Sequence, residues 1–250
     1  MYGILTNKGQ VSSVSLDEFI SIDKMNYFEN EYFPKQFDKF CEDLPEIVEK
    51  IDFTKKRYKE YLKDKELTKV DLFNTFMNTY SADEIERAAA WKLIKTYVPE
   101  FIEYLYDNVV DYIYEIFIQY ERKGNTVPFH RDWAPDGLEV DDHSIYPDKD
   151  EYRSSGASWA WFRFSDTKKL YVSDIDGKDD VSKRIPMKFY GAVFNGNDFH
   201  GCYDDSYGYS SRLYATLKQD IIDNNEIDIS RWSIIYPPND YMKKEKAFSF

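Results

Sequence analysis

IPMKFYGAVFNGNDFHGCYDDSYGYSSRLYATL, residues 185–217, alternates short runs of aromatic and β-branched side chains with clusters of Gly, Asn, Asp and Ser. The first kind of residue packs well on a pleated surface and the second supplies turns, so the stretch predicts short antiparallel strands at MKFYGAVFN (187–195) and SRLYATLKQ (211–219). The same texture begins at YIYEIFIQY (112–120) and returns in SWAWFRF (158–164) and KKLYVSDI (168–175). Upstream the periodicity is different. YFPKQFDKFCEDLPEIVEKI (32–51) spaces its apolar residues at three and four, and Ser81-Ala82-Asp83-Glu84 forms a capping box ahead of IERAAAWKLIKTYVPEFIEYLYDNVV (85–110). Pro99 is expected to kink that helix or divide it in two. Helices followed by closely spaced strands predict an α+β chain, a β-sandwich or jelly roll with helices on one side. With no internal repeat and no low-complexity linker, the expectation is one domain over 1–250. It has a helical part (1–108), a β core (109–220) and a C-terminal extension (221–250).

Composition narrows the function. Hydrophobic residues make up 42% and aromatics 18% of the 250 residues, enough to fill a sizeable core. No apolar run reaches the roughly 18 residues of a membrane helix, and MYGILTNKGQ lacks the basic-then-apolar order of a secretory signal, so a soluble cytoplasmic protein is expected. Cys41 and Cys202 form no Cys-x-x-Cys, which argues against a disulfide framework or a thiolate zinc site. With 46 acidic and 33 basic side chains the net charge is −13, which repels a phosphate backbone; nucleic acid and membrane are not expected partners.

The chemistry concentrates in PFHRDWAPDG (128–137). His-Arg-Asp occurs in protein kinase catalytic loops, but that use requires an Asn five residues after the Asp, a Gly-rich loop and a later Asp-Phe-Gly. Position 137 is Gly and the other two elements are missing. A metal site instead asks for a His and a carboxylate two apart, with a second His from a distant strand. The chain has three histidines, His130, His143 and His200. His130 and Asp132 follow the strand ending IFIQY, and His200 closes FYGAVFNGNDFHG, expected as a strand and then a turn. Arg212, twelve residues further on, opens RLYATL, where a guanidinium can clamp a carboxylate through two parallel hydrogen bonds.

In this order of elements the chain resembles the iron(II)- and 2-oxoglutarate-dependent oxygenases, whose double-stranded β-helix carries His-x-Asp, a distal His and then an Arg or Lys. The resemblance spans residues 110–220 and is strongest in YERKGNTVPFHRD (120–132) and in 185–217; Tyr120 and Gly124 match the prolyl-hydroxylase-like branch. It implies a cupin-like jelly-roll fold with the helical half packed against it, and a ferrous iron held by His130, Asp132 and His200. It further implies 2-oxoglutarate anchored by Arg212 with Tyr120, and dioxygen as oxidant. The activity implied is hydroxylation of an unactivated C–H bond coupled to oxidative decarboxylation of the 2-oxo acid. Halogenases of the family have Gly or Ala in place of the carboxylate, so Asp132 implies hydroxylation.

The chain also looks like the small hydroxylases and halogenases acting on free amino acids, which implies a small-molecule substrate, best a basic amino acid such as lysine. The acidic stretch 136–151 carries seven carboxylates, Asp136, Glu139, Asp141, Asp142, Asp148, Asp150 and Glu151, against Lys149. As a lid it would attract a cation; as a solvated insertion it would do nothing. Glu115 interrupts the apolar strand 112–120 on the face of Gln119, where a substrate ammonium or simple solvent exposure would satisfy it. Trp232, beyond the last β segment, is the tryptophan placed to wall a substrate pocket, whereas Trp159 and Trp161 read as core. The alternatives are a protein or peptide hydroxylase and a jelly-roll binding module in which His-x-Asp is coincidental. A nucleobase demethylase fits less well, because Lys218 stands where that branch has a second arginine.

Overall fold

The computed structural model describes residues 3–5, 11–50, 67–79, 84–121, 126–130, 158–164, 169–173, 185–187, 190–195, 199–203 and 208–225. The first two elements are strands, β1 (Gly3–Leu5) and β2 (Val11–Ser15), paired antiparallel. The helical part expected over 1–108 therefore opens with a hairpin. Its second strand pairs with β8 (Gly191–Asn195), a contact 180 residues away that local periodicity does not announce. The junction is clamped: the Leu16 N–H donates to the Gly191 carbonyl at 2.7 Å, and Asp17 Oδ1 accepts from the N–H groups of Tyr190 and Gly191 at 2.8 and 2.9 Å.

Helix α1 (Ile22–Tyr27) starts at Ser21, whose hydroxyl accepts from the Lys24 N–H. A π-helical turn (Phe28–Tyr32) joins it without a break to α2 (Phe33–Lys50), which carries Pro45 in its interior. Helix α3 (Lys69–Phe76) carries a capping box of Thr68 and Asp71; the one expected at Ser81–Glu84 begins outside the described residues. Pro99 divides rather than kinks: α4 (Glu84–Tyr97) stops before it and α5 (Pro99–Asn108) starts on it. No described helix is long and apolar enough to cross a membrane.

From β3 onward the chain passes back and forth between two sheets, with β6 and β7 consecutive in the smaller one. The larger has the order β1-β2-β8-β5-β10-β3, using β3 (Val110–Glu121), β5 (Ser158–Arg163) and β10 (Gly208–Leu217). The smaller has the order β4-β9-β6-β7, from β4 (Thr126–His130), β6 (Lys169–Ser173), β7 (Ile185–Met187) and β9 (Phe199–Tyr203). A short helix α6 (Gln219–Asn224) follows β10. The segment expected as one strand at 187–195 is two pieces, since Met187 ends β7 and β8 begins at Gly191.

One face of the larger sheet packs on the helices. Phe33 is the hub of that core: its ring stacks on Tyr209 (5.1 Å) and meets Phe164 (4.7 Å), Phe101 (5.4 Å) and Phe28 (5.9 Å). Residues directly opposite in an antiparallel pair share a face, and successive residues alternate. The register Tyr209↔Tyr120, Ser211↔Ile118 and Leu213↔Ile116, with Phe162 and Ala160 opposite Ser211 and Leu213, therefore puts all of these on the helical side. The outer edge of β3 is covered as well. Thr79 N–H and hydroxyl donate to the Ile116 carbonyl, Ile118 N–H donates to Met77, and the Asn74 amide spans the Tyr120 backbone, accepting from its N–H at 2.8 Å and donating to its carbonyl at 3.0 Å. An otherwise open edge is closed without a further strand.

Candidate metal and cosubstrate site

His130 is the last residue of β4 and His200 the second of β9, and the two are direct partners across the antiparallel pair. The sequence places His200 in a turn; pairing with β4 on one side and β6 on the other, where it faces Val172, makes it part of a central strand despite the neighbouring Gly201. The register shows how the histidines come level. Thr126 faces Tyr203 and Val127 faces Cys202, which in a regular ladder would bring His130 opposite Phe199. An extra residue between Val127 and His130 moves His130 up by one, to His200. That irregularity contains Pro128, which has no N–H to give a ladder and is tolerated at a bulge on an edge strand. Directly opposed residues in such pairs have Cα atoms about 4.5–5.5 Å apart, so two imidazole-bearing positions 70 residues apart in the chain sit side by side.

Asp132 lies two residues past the end of β4 and, like Trp232 and the stretch 136–151, is outside the described residues. Arg212 lies in β10, in one row with Phe117 of β3 and Trp161 of β5, half-buried and on the face turned away from the helices. Ser210, Gln119 and Glu121 share that face. Glu121 is only 3% exposed, its carboxylate accepting from the Ser210 hydroxyl at 3.0 Å and from the Gln119 side-chain amide. Glu115 is on the same face opposite Tyr214, diagonal to Arg212 and 4% exposed, so solvent exposure does not account for it. Glu121 is a residue that sequence reading missed, although continuing the alternation from Glu115 through Gln119 leads to it.

Tyr120 is not brought together with Arg212. It lies on the helical face, its ring 4.8 Å from Tyr209 and 6.2 Å from Phe37, while the guanidinium leaves from the other side of the sheet. A shared hold on one cosubstrate carboxylate does not fit that placement.

No family model matches the sequence, and no curated protein matches it. Among solved structures the chain is similar to CytC3 with Fe(II) and alpha-ketoglutarate (10% identity, 81% of this chain and 72% of that one, TM-score 0.33). It is also similar to AviO1 from Streptomyces viridochromogenes (11%, 81% and 88%, 0.33) and to a Pseudomonas putida prolyl-4-hydroxylase (11%, 81% and 91%, 0.31). Similarity at this level assigns no role to this chain.

Proposed function

We propose that this chain is an iron(II)- and 2-oxoglutarate-dependent oxygenase on a double-stranded β-helix. In this reading it hydroxylates an unactivated C–H bond of a small polar substrate, best a free basic amino acid such as lysine. The observation that carries the reading is the direct opposition of His130 and His200 across β4 and β9, reached through a bulge one residue long. Two further features support it: a strand order in which β3 to β10 pass back and forth between two sheets, and a half-buried Arg212 on the face away from the helical core.

In this reading His130, Asp132 and His200 hold the iron, two neutral nitrogens and one carboxylate suited to a ferrous ion with open positions. Bound iron with 2-oxoglutarate and dioxygen supplies the oxidising power, releasing carbon dioxide and succinate as the substrate gains a hydroxyl group. The rest is positioning by this chain. Arg212 presents a rigid fork to the far carboxylate of the cosubstrate and, being half-buried, does so where water competes less than at an open surface. Asp132 would serve as the carboxylate ligand whose absence the halogenases of this class require, which favours hydroxylation. Glu115 and Glu121 are buried on Arg212's face, and a substrate cation bound on that side would meet their negative field.

The test is succinate release from 2-oxoglutarate with a panel of free amino acids and short peptides. Turnover stimulated by basic amino acids and abolished in both Asp132→Ala and His200→Ala supports the reading. Stimulation by peptides alone removes the amino acid substrate, and succinate formation equal in wild type and both variants removes the oxygenase.

A further inference from the structure

Gln119 lies on Arg212's side of the large sheet, and the fold uses only one end of its amide. It stands opposite Ser210, so Arg212, two residues further along β10, is its diagonal neighbour. Such positions are about 7–8 Å apart and within reach of two long side chains. The Gln119 Nε2 donates to the Glu121 carboxylate, which also accepts from the Ser210 hydroxyl at 3.0 Å. Glu121 and Ser210 are both buried, whereas Gln119 is half-buried.

This trio fixes the sense of the amide. An ionised carboxylate accepts and cannot donate, so Gln119 has to offer it the N–H end. Half a turn of the amide would set Oε1 against the Glu121 oxygens, acceptor against acceptor where water is scarce, which is costly. The carbonyl is thereby turned away from Glu121, and no described residue donates to it. What can meet that oxygen follows from its chemistry. 2-Oxoglutarate carries two carboxylates and a keto oxygen, all of them acceptors, and dioxygen has no proton to give. A group bearing N–H does, and an ammonium suits best, because the hydrogen bond is charge-assisted and the Glu121 carboxylate stands behind the amide.

We propose that Gln119 is a specificity-determining residue whose side-chain carbonyl accepts a hydrogen bond from the side-chain ammonium of the substrate. Glu121 is the positioning residue that holds the amide in that sense. The inference rests on the oxygenase reading for its substrate, a free basic amino acid, and adds to it the group that recognises the cation.

The experiment is a calorimetric titration of the full chain with L-lysine and with L-norleucine, under nitrogen with ferrous iron and 2-oxoglutarate present. Norleucine keeps the amino acid and the apolar stem and lacks the side-chain ammonium, so wild type should bind lysine about tenfold tighter or more. Gln119→Met keeps the length and removes the acceptor; it should weaken lysine about tenfold, leaving norleucine and 2-oxoglutarate within about twofold. Glu121→Gln can accept from Gln119 or donate to it, which frees the amide to turn, and should weaken lysine about threefold with norleucine again unchanged. A merely structural role would lower all three affinities together. Equal lysine binding in wild type and Gln119→Met overturns the proposal, as does a loss of 2-oxoglutarate binding as large as the loss of lysine. Lysine binding unchanged in Glu121→Gln removes Glu121 from it. A wild type that takes up iron and 2-oxoglutarate but binds no lysine overturns this inference and leaves the oxygenase standing. Selective lysine binding, lost in Gln119→Met, by a chain that takes up no iron removes the oxygenase and leaves the role of Gln119 intact.

Discussion

Strand β10 presents Tyr209, Ser211 and Leu213 to the helices, and Ser210, Arg212 and Tyr214 to the other side. On the helical side the neighbours are rings, with Phe28, Phe33, Phe101, Phe162 and Phe164 meeting at 4.7–6.3 Å. Across the sheet the same strands bury Glu115 and Glu121 and half-bury Gln119 and Arg212. Burying carboxylates costs free energy that packing on this sheet does not require, whereas the aromatic side is what folding alone would select. The difference is one of charge rather than of polarity, since the helical side also buries the Ser211 hydroxyl without a hydrogen-bond partner; carboxylates are buried on the other side, and that is where chemistry is sought.

The adjacent pair Arg212 and Leu213 puts that division to its sharpest test, because one step along the chain changes face. Leu213→Ala should destabilise the protein by roughly 2–5 kcal/mol in denaturant titration, the range for a buried Leu lost from a close-packed core, with the 2-oxoglutarate concentration for half-saturation unchanged in the folded fraction. Arg212→Ala should do the opposite, raising that concentration by about thirtyfold, ~2 kcal/mol, with a much smaller effect on unfolding. Equal stability losses in the two variants would break the comparison.

The covered edge of β3 should give a smaller effect. Asn74→Ala removes both hydrogen bonds to the Tyr120 backbone and should cost roughly 1–3 kcal/mol by the same titration, with Asn74→Asp recovering at most the half that accepts. The smallest effect at neutral pH, and the one confined to the helical side, is alkaline. Burial raises the Tyr32 pKa to about 12, and the Glu100 N–H donating to its oxygen only partly offsets this. A phenol whose pKa is higher folded than unfolded contributes stability that is complete below pH ~10 and is lost as pH climbs towards 12. Tyrosinate absorbance followed together with circular dichroism should show this phenol ionising only as the helical signal falls; ionisation with the helices intact would contradict its placement in the core.

Much of this architecture is legible in the chain, and the exceptions have physical causes. The stretches 112–120, 158–164, 168–175 and 211–219, which contain or overlap β3, β5, β6 and β10, declare themselves because each is long enough for alternation and rich enough in aromatic and β-branched residues to fit a pleat. Pro99 declares the break between α4 and α5. What escapes is whatever depends on a distant partner: β2 is short and joins β8, with β1 pairing on its other side, and Phe199–Tyr203 reads as a turn until β4 and β6 flank it. Thr126–His130 carries a proline that argues against a strand, and the bulge reconciles the two. The Thr68 and Asp71 cap has Asp where the capping-box pattern asks for Glu or Gln. At the proposed site, residue type and order single out His130, His200 and Arg212 as candidates. The face of Tyr120 escapes them, because motif order carries no information about which side of a sheet a residue leaves from.

The opposition of His130 and His200 is the claim on which the function turns. Its most direct measurement is an anaerobic titration of the chain with ferrous iron in the presence of 2-oxoglutarate, followed by visible absorption. A weak band saturating at one iron per chain, and absent from His130→Ala and His200→Ala alike, is the expected result. A featureless titration, or a band that either variant keeps at full intensity, would contradict it.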